Sequence, residues 1–335
     1  METRVLTVET AGQFEQAVRE AVRLLREGAV VALPTETVYG LAANALDPRA
    51  VGRIYDVKGR PAHNPLIVHV ASIGMARDCV TEWPASAEVL ARHFWPGPLT
   101  LVLPRAPLVP EIVAADGATV AVRLPLHPLM RAVIEQCGFP LAAPSANRAN
   151  QLSPTATEHV LASLGGRIPL IVDAGPTSVG IESTVLDLSS PTPAILRPGM
   201  ISAQQISQVL GRKVAAAPEQ GPNLKSPGRL QKHYSPRARL VLASWRNDAE
   251  LFGIARDAAV PSGAIHVIAY EQIPRANPFA RVALIPHDPE AYARALYAEL
   301  HRSDQLGAQL ILVEAPPESP EWDGIRDRLT RASAG

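Results

Sequence analysis

Two polar stretches of this chain carry more chemistry than packing asks for. Residues 34–45 read PTETVYGLAANA and residues 58–69 read KGRPAHNPLIVH. They bring Thr35, Thr37, Tyr39, Lys58, Arg60, His63, Asn64 and His69 beside short apolar runs, VVAL before the first and LIVHV inside the second. Polar groups gathered at strand ends are how α/β proteins build sites. Lys58 and Arg60 flank Gly59 and precede Pro61, so they belong to a shaped loop and not to a solvated helix face. Cations, imidazoles and hydroxyls on such loops make a clamp for an anion, phosphate above all.

Four further segments extend the set. Ser145 and Asn147, followed by Arg148 and Ser153, sit at a strand-to-helix turn. Hydroxyl, amide and backbone donors there suit a phosphate, although a plain helix cap would use the same residues. Arg123 ends the apolar strand VAVR, either as a snorkelling edge residue or as a planar fork for a carboxylate. Glu182, Ser183 and Thr184 open a strand in GIESTV, and Arg197 stands in ILRPG. Each of these alone reads as a turn or a solvated loop, and the second anion-binding role for Arg197 rests on the rest of the set. His63 and His69 are six residues apart with no Cys and no acidic partner at ligand spacing, which favours hydrogen bonding over metal ligation. Neither G-x-x-x-x-G-K-[ST] nor G-x-G-x-x-G occurs, so ATP would not enter through either common cradle. There is also no nucleophile elbow and no acid pair suited to glycosidase chemistry.

The elements that must hold these residues alternate at short spacing. Thr10 and Gln13 form a capping-box pattern before the apolar stripe Phe14, Ala17, Val18, Ala21, Leu24 and Leu25, and Gly28 stops the helix. AVVAL is a strand running into the PTET loop. Asp47-Pro48 starts a short helix, PLIVHV is a strand and residues 84–94 are helical. LTLVL and TVAVRLP are strands, HPLMRAVIEQCG is a helix, and PLAAPSANRA is a strand entering a polar turn. A helix over PTATEHVLASLGG, strands in IPLIVDAG and STVLDLS, and a helix over 201–212 complete a first α/β domain with a twisted, mixed sheet, residues 1–212. Residues 213–238 are rich in Pro, Gly and Ala, the mark of a linker. SPGRLQKHYSP within it carries Lys232, His233 and Tyr234 between prolines. It is either a surface tether or a strap that folds back over the cleft of the first domain. The pattern then restarts in residues 239–335 as a smaller α/β, Rossmann-like domain, with strands in RLVLAS, AIHVIAY, RVALIP and QLILVEAP and a helix over 289–302. It carries no catalytic constellation.

Bulk composition bounds the partners. The chain has 335 residues, 47% apolar and 19% charged, ordinary for a globular enzyme of two domains. Net charge is zero, so long-range attraction to nucleic acid or membrane is not built into the whole chain. Cys79 and Cys137 give neither a disulfide framework nor metal spacing, as expected for a reducing interior. No apolar run approaches a membrane span, and METRVLTVETAG lacks a signal-peptide pattern. The expected location is the cytoplasm.

Taken in order, PTETVYGLAANA, KGRPAHNPLIVHV, FWPGPLTLVL, VAVRLP, PSAN, GIESTV and ILRPG resemble the L-threonylcarbamoyladenylate synthases, the YrdC-like family, over about residues 14–210. The KHYSP linker and the second domain resemble its longer, two-domain branch. The resemblance implies synthesis of threonylcarbamoyl-AMP and pyrophosphate from L-threonine, bicarbonate and ATP. The product then serves tRNA threonylcarbamoyladenosine formation beside the anticodon, through separate transfer proteins. It assigns the L-threonine contacts to Thr37, His69, Arg123, Ala143 and Ser183. It assigns nucleotide contacts to Arg60, Asn64, Thr119, Ser145, Ser153, Arg197 and Tyr234, with Asn147 beside them in the SAN turn and Lys58 in the same basic loop as Arg60. Thr119, Ala143 and Ser153 rest as contacts on the resemblance alone. Lys58 and Arg60 are the expected catalytic cations, and Mg2+ is expected to arrive on the triphosphate. Ala42 stands where the family usually has Gly, and Arg229 and Gln231 where the longer branch shows Met and an aromatic.

Two other classes remain open at this level. One is an RNA-binding module on a concave basic face, against which stand the zero net charge and the lack of interleaved aromatics. The other is the related carbamoyl-phosphate-using domain of hydrogenase maturation, whose usual zinc-finger and acylphosphatase-like segments are missing.

Overall fold

The computed structural model describes residues 2–216, 234–275 and 278–334. Arg229, Gln231, Lys232 and His233 of the linker lie outside the described residues.

β1 (Arg4–Thr7) leads into α1 (Ala11–Arg26), whose capping box forms as read: Thr10 accepts from Gln13 N and the Gln13 side chain returns the bond. β2 (Val31–Leu33) and β3 (Gly40–Asn44) pair antiparallel around the PTET turn, Val31 facing Ala42 and Leu33 facing Gly40. The β3 strand is an addition to the sequence reading, in which this stretch is loop. α2 (Pro48–Lys58) is capped by Asp47 and ends at Gly59, which adopts φ +60 and swings the chain into Arg60. β4 (Ile67–His69), α3 (Ile73–Asp78), α4 (Ala85–Phe94), β5 (Leu99–Pro104) and β6 (Thr119–Arg123) follow. Next come α5 (Pro128–Cys137), β7 (Leu141–Ala142), α6 (Thr157–Leu164), β8 (Leu170–Asp173), β9 (Thr184–Asp187) and β10 (Ala194–Arg197). α7 (Ala203–Leu210) and β11 (Ala215–Ala216) complete the first unit. β11 lies beyond residue 212 and pairs parallel with β10, so the first sheet continues past the composition break.

These strands form one mixed sheet in the order β1-β8-β2-β3-β7-β4-β6-β5-β9-β10-β11. Strand alternation sends neighbouring residues to opposite faces. Val31 and Leu33 pack in the cluster that holds α1 and α5, whereas Ala32 between them packs with α2, α4 and α6. Helices thus cover both faces, which explains why β2 reads as an unbroken apolar run.

The second unit contains β12 (Arg239–Ala243), α8 (Asp248–Asp257), β13 (Ile265–Ala269), β14 (Arg281–Leu284), α9 (Pro289–Gln305), β15 (Leu310–Glu314) and α10 (Asp323–Ser333). Its sheet is parallel throughout, in the order β12-β15-β13-β14. At the carboxyl ends of these strands, where open α/β sheets usually take ligands, the Glu314 carboxylate accepts from the backbone amides of Tyr270, Glu271 and Gln272.

The two units share a core. Val38, Leu152 and Ile181 of the first pack with Tyr292, Leu296, Leu300, Ile325 and Leu329 of the second, around Tyr234. The approach is close enough to dictate glycines. Gly180 adopts φ +88, and a Cβ there would lie 2.4 Å from Ala293 O. A Cβ on Gly324 would lie 2.8 Å from the carbonyl carbon of Gly199.

Candidate active site

Several strand ends and loop turns converge on one cavity. β4 and β6 run parallel in register and end side by side at His69 and Arg123. The PTET turn enters β3 at Gly40, which bridges to Ser145 of the SAN turn. Ser183 immediately precedes β9, and β10 ends at Arg197. Thr35, Thr37, Arg60, His69, Arg123, Ala143, Ser145, Glu182, Ser183, Arg197 and Tyr234 all line this cavity. It therefore brings together Thr37, His69, Arg123, Ala143 and Ser183 with Arg60, Ser145, Arg197 and Tyr234. Lys58, Asn64, Thr119, Asn147 and Ser153 are not among its lining residues.

The Arg123 guanidinium is buried, 3% exposed, and held on three sides. Nη1 donates to Thr37 Oγ1 at 3.0 Å, Nε donates to Gly97 O at 3.3 Å, and Nη2 stands 2.6 Å from Glu36 Oε1. Thr35 Oγ1 donates to Val38 O at 2.6 Å and lies 2.9 Å from Thr37 Oγ1. The hydroxyl protons are therefore directed: Thr37 accepts from Arg123 and donates to Thr35. His69 sits beside this fork with Nδ1 3.3 Å from Ile67 O. A carbonyl only accepts, so Nδ1 carries the proton and Nε2 is an acceptor. Burial, reinforced by the Arg123 charge, pushes the imidazole down to about 3, and it is neutral at working pH.

The second group of cations lies across the cavity. Arg60 Nε donates to Asn64 O at 3.0 Å, and its Nη2 donates to Asn64 Oδ1 and Pro65 O, each at 2.7 Å. Asn64 thus aims Arg60. Arg197 reaches back to Ser183, donating from Nε and Nη2 to its carbonyl at 3.1 and 3.0 Å and from Nη2 to Oγ at 3.1 Å. Tyr234, 1% exposed, closes this side at φ +62, with its hydroxyl 3.5 Å from Arg197 Nη1. A bulky residue in the left-handed region is held there by its surroundings. Here the surroundings are the bond from Ser235 N to Asn150 O and the packing against both units.

The residues outside the lining have definite tasks. Lys58 is 2% exposed, and its ammonium donates to Ser145 O and Asn147 O at 2.5 Å, so it fixes the SAN turn from behind. Burial and then the Arg60 charge drive its pKa well below the lysine range. Asn147 Nδ2 donates to Arg148 O and Gln151 O at 3.0 and 2.8 Å and shapes the same turn. Ser153 Oγ donates to Glu182 Oε1 at 2.5 Å. Thr119 opens β6 and is separated from Arg123 by about 13 Å of strand. His63 is exposed. Among the described residues no group of His, Cys, Asp and Glu could hold a metal ion. None of the helices among the described residues is long and apolar enough to cross a membrane.

Two acidic residues of the site have no functional role in the sequence reading. Glu36, buried at 2%, lies between the threonines of PTET, and its only signal is a carboxylate amid hydroxyls. Glu182 is visible in GIEST, but its partners are not, because Arg328 and Tyr297 come from the second unit.

Comparison with known proteins agrees with this architecture. Residues 23–199 match the Sua5/YciO/YrdC family, described as "Telomere recombination", and residues 201–334 match "Threonylcarbamoyl-AMP synthase, C-terminal domain". The chain is 39% identical to the threonylcarbamoyl-AMP synthase of Pyrococcus abyssi over 95% of its length and 94% of that protein. It is 40% identical to the Bacillus subtilis threonylcarbamoyl-AMP synthase, covering 95% of this chain and 93% of that one. The crystal structure of P. abyssi Sua5 complexed with L-threonine superposes with a TM-score of 0.90 at 36% identity, covering 99% and 98% of the two chains.

Proposed function

Because this chain belongs to the two-domain branch of the YrdC-like threonylcarbamoyl-AMP synthases, we propose that it joins L-threonine, bicarbonate and ATP into threonylcarbamoyl-AMP with release of pyrophosphate. It is an enzyme of the nucleotidyl-transferring kind. The observation that carries the reading is the cavity where the Arg123 fork and the Arg60 and Arg197 cations face one space.

Two anions must meet in this reaction, the carbamate and the α-phosphate, so fixed positive charge has to offset their repulsion. Arg123 takes the threonine carboxylate, with Thr37 and Ser183 as hydroxyl partners. Neutral His69 offers Nε2 as an acceptor to the threonine amine or hydroxyl. The free amine attacks CO2 with loss of a proton, or bicarbonate with loss of water, to give the carbamate, whose oxygen attacks the α-phosphorus and expels pyrophosphate. Arg60 and Arg197 face the phosphates, Ser145 adds a donor, and Tyr234 covers them. Orientation and charge carry most of the rate. Dedicated protein cages for Mg2+ are uncommon, and we assign it to the triphosphate as part of the substrate and derive no step through it.

The product serves threonylcarbamoyladenosine formation beside the tRNA anticodon, handed to separate transfer proteins in the cytoplasm, with at most weak tRNA contact by this chain. The test is pyrophosphate release from ATP with and without L-threonine and bicarbonate. Release that needs both supports the synthase. Release with carbamoyl phosphate in place of threonine would move the chain to the hydrogenase-maturation type of chemistry. No release, with salt-dependent tRNA binding, would favour an RNA-binding module.

A further inference from the structure

The last helix of the second unit reaches the wall of the site. Arg328 of α10 is 1% exposed, although it lies on a helix with several solvated charges. Its Nε donates to Glu182 Oε2 at 2.6 Å, its Nη2 to Glu182 O at 3.2 Å, and its Nη1 to Pro198 O at 2.9 Å. Its guanidinium carbon stands 5.3 Å from the centre of the Tyr234 ring. One side chain therefore grips the segment before Ser183, the segment after Arg197, and the tyrosine that closes the cavity. Tyr297 of α9 adds a bond to Glu182 Oε2 at 3.2 Å, and Ser153 holds the other oxygen. Gly324 on the same helix leaves no room for a Cβ against Gly199, so α10 packs directly on the backbone of the loop that carries Arg197.

We infer that Arg328 is a positioning residue through which the second unit sets the nucleotide side of the site, by fixing Glu182, the Arg197 loop and Tyr234 together. Arg328 does not line the cavity itself. The rest of the threonine side is held within the first unit, since Arg123 is held by Glu36 and Gly97 and His69 by Ile67, and Ser183 is the one threonine contact that joins the Arg197 assembly. A buried guanidinium with bonds to four acceptor atoms, two on Glu182 and one each on Pro198 and Asp327, is the group best suited to fixing their relative positions, because its donors form a rigid plane.

The inference rests on the proposed function, so binding and turnover are measured separately. Calorimetry with a non-hydrolysable ATP analogue and with L-threonine is run on the full-length wild type, Arg328→Gln and Arg328→Lys. The expected result is nucleotide binding weakened about tenfold or more in Arg328→Gln, with L-threonine binding, which meets this assembly only through Ser183, weakened far less, and partial recovery in Arg328→Lys. A purely structural role would lower the folded fraction and leave both affinities of the folded protein as they were. That result, or equal weakening of both ligands, would overturn the inference. If Arg328→Gln does not fold, Asp327→Asn is the graded probe, because Asp327 Oδ2 accepts from Arg328 Nη1 at 2.6 Å. Weaker nucleotide binding there supports the positioning role, and wild-type affinity rejects it. Wild type that binds both ligands yet releases no pyrophosphate would refute the synthase reading alone.

Discussion

Arg123 Nη2 and Glu36 Oε1 stand 2.6 Å apart with side chains only 4% and 2% exposed, yet neither atom has a hydrogen-bond partner of good geometry. The pair is a charge contact inside the fold. Its Coulomb attraction is what keeps the cation compensated behind the cavity.

Removing one member of such a pair is costly because the other charge stays buried. Glu36→Ala is expected to lose about 3–5 kcal/mol of stability. Urea unfolding measures it, and a loss below about 1 kcal/mol would show that Arg123 finds another partner.

Arg123→Lys keeps the charge and discards the planar fork. Under the proposed function, L-threonine binding should fall about tenfold to a hundredfold while nucleotide binding holds. Calorimetry with each ligand separates the two, and a parallel loss of both would argue against a dedicated carboxylate contact.

Lys58 and Arg60 are neighbours in sequence with different surroundings. Lys58→Ala strands the carbonyls of Ser145 and Asn147, at about 1–3 kcal/mol, so its melting temperature should drop along with turnover. Arg60→Ala should lower turnover with a smaller change in melting. Equal thermal shifts in the two variants would contradict this division.

The rings of His159 and His301 stack at 3.8 Å across the junction of α6 and α9. Burial lowers each imidazole to about 4, helped in His301 by the neighbouring His159 and opposed by Asp304 and Glu158. The unfolded chain therefore takes up protons between about pH 6.5 and pH 4 that the folded chain refuses. Their contribution to stability is complete above about pH 6.5 and is lost progressively as pH falls toward 4. Urea midpoints taken down that range should decline in wild type and decline less in His159→Phe. Identical slopes would assign the acid sensitivity to other groups.

Much of the site could be read along the chain. The PTET, VAVR, SAN, GIEST and RPG segments each place a polar group at an end of an apolar strand, and KGR places two cations at the end of α2. Even so, the sequence treats Lys58 and Arg60 as equals. Only the fold shows that Lys58 turns inward to backbone carbonyls while Arg60 faces the cavity, because that choice depends on where the distant SAN turn lies.

The linear chain determined the α/β class, most of the strands and caps of the first unit, and the cations and hydroxyls that line the site. These follow from local rules: periodicity, capping and turn chemistry act over a few residues. Tertiary structure alone decided the partners of those groups. Glu36 compensates Arg123 across 87 positions (123 minus 36), and Arg328 reaches Glu182 across 146. Arg328 sits on α10, whose apolar spacing at Ile325, Leu329 and Ala332 is thinned by the charges between them. An arginine on the inner face of such a helix looks like a surface residue until the fold supplies a buried carboxylate opposite it. Burying a charge is unfavourable unless its partner is already in place, and that condition belongs to the assembled core rather than to any segment of the chain.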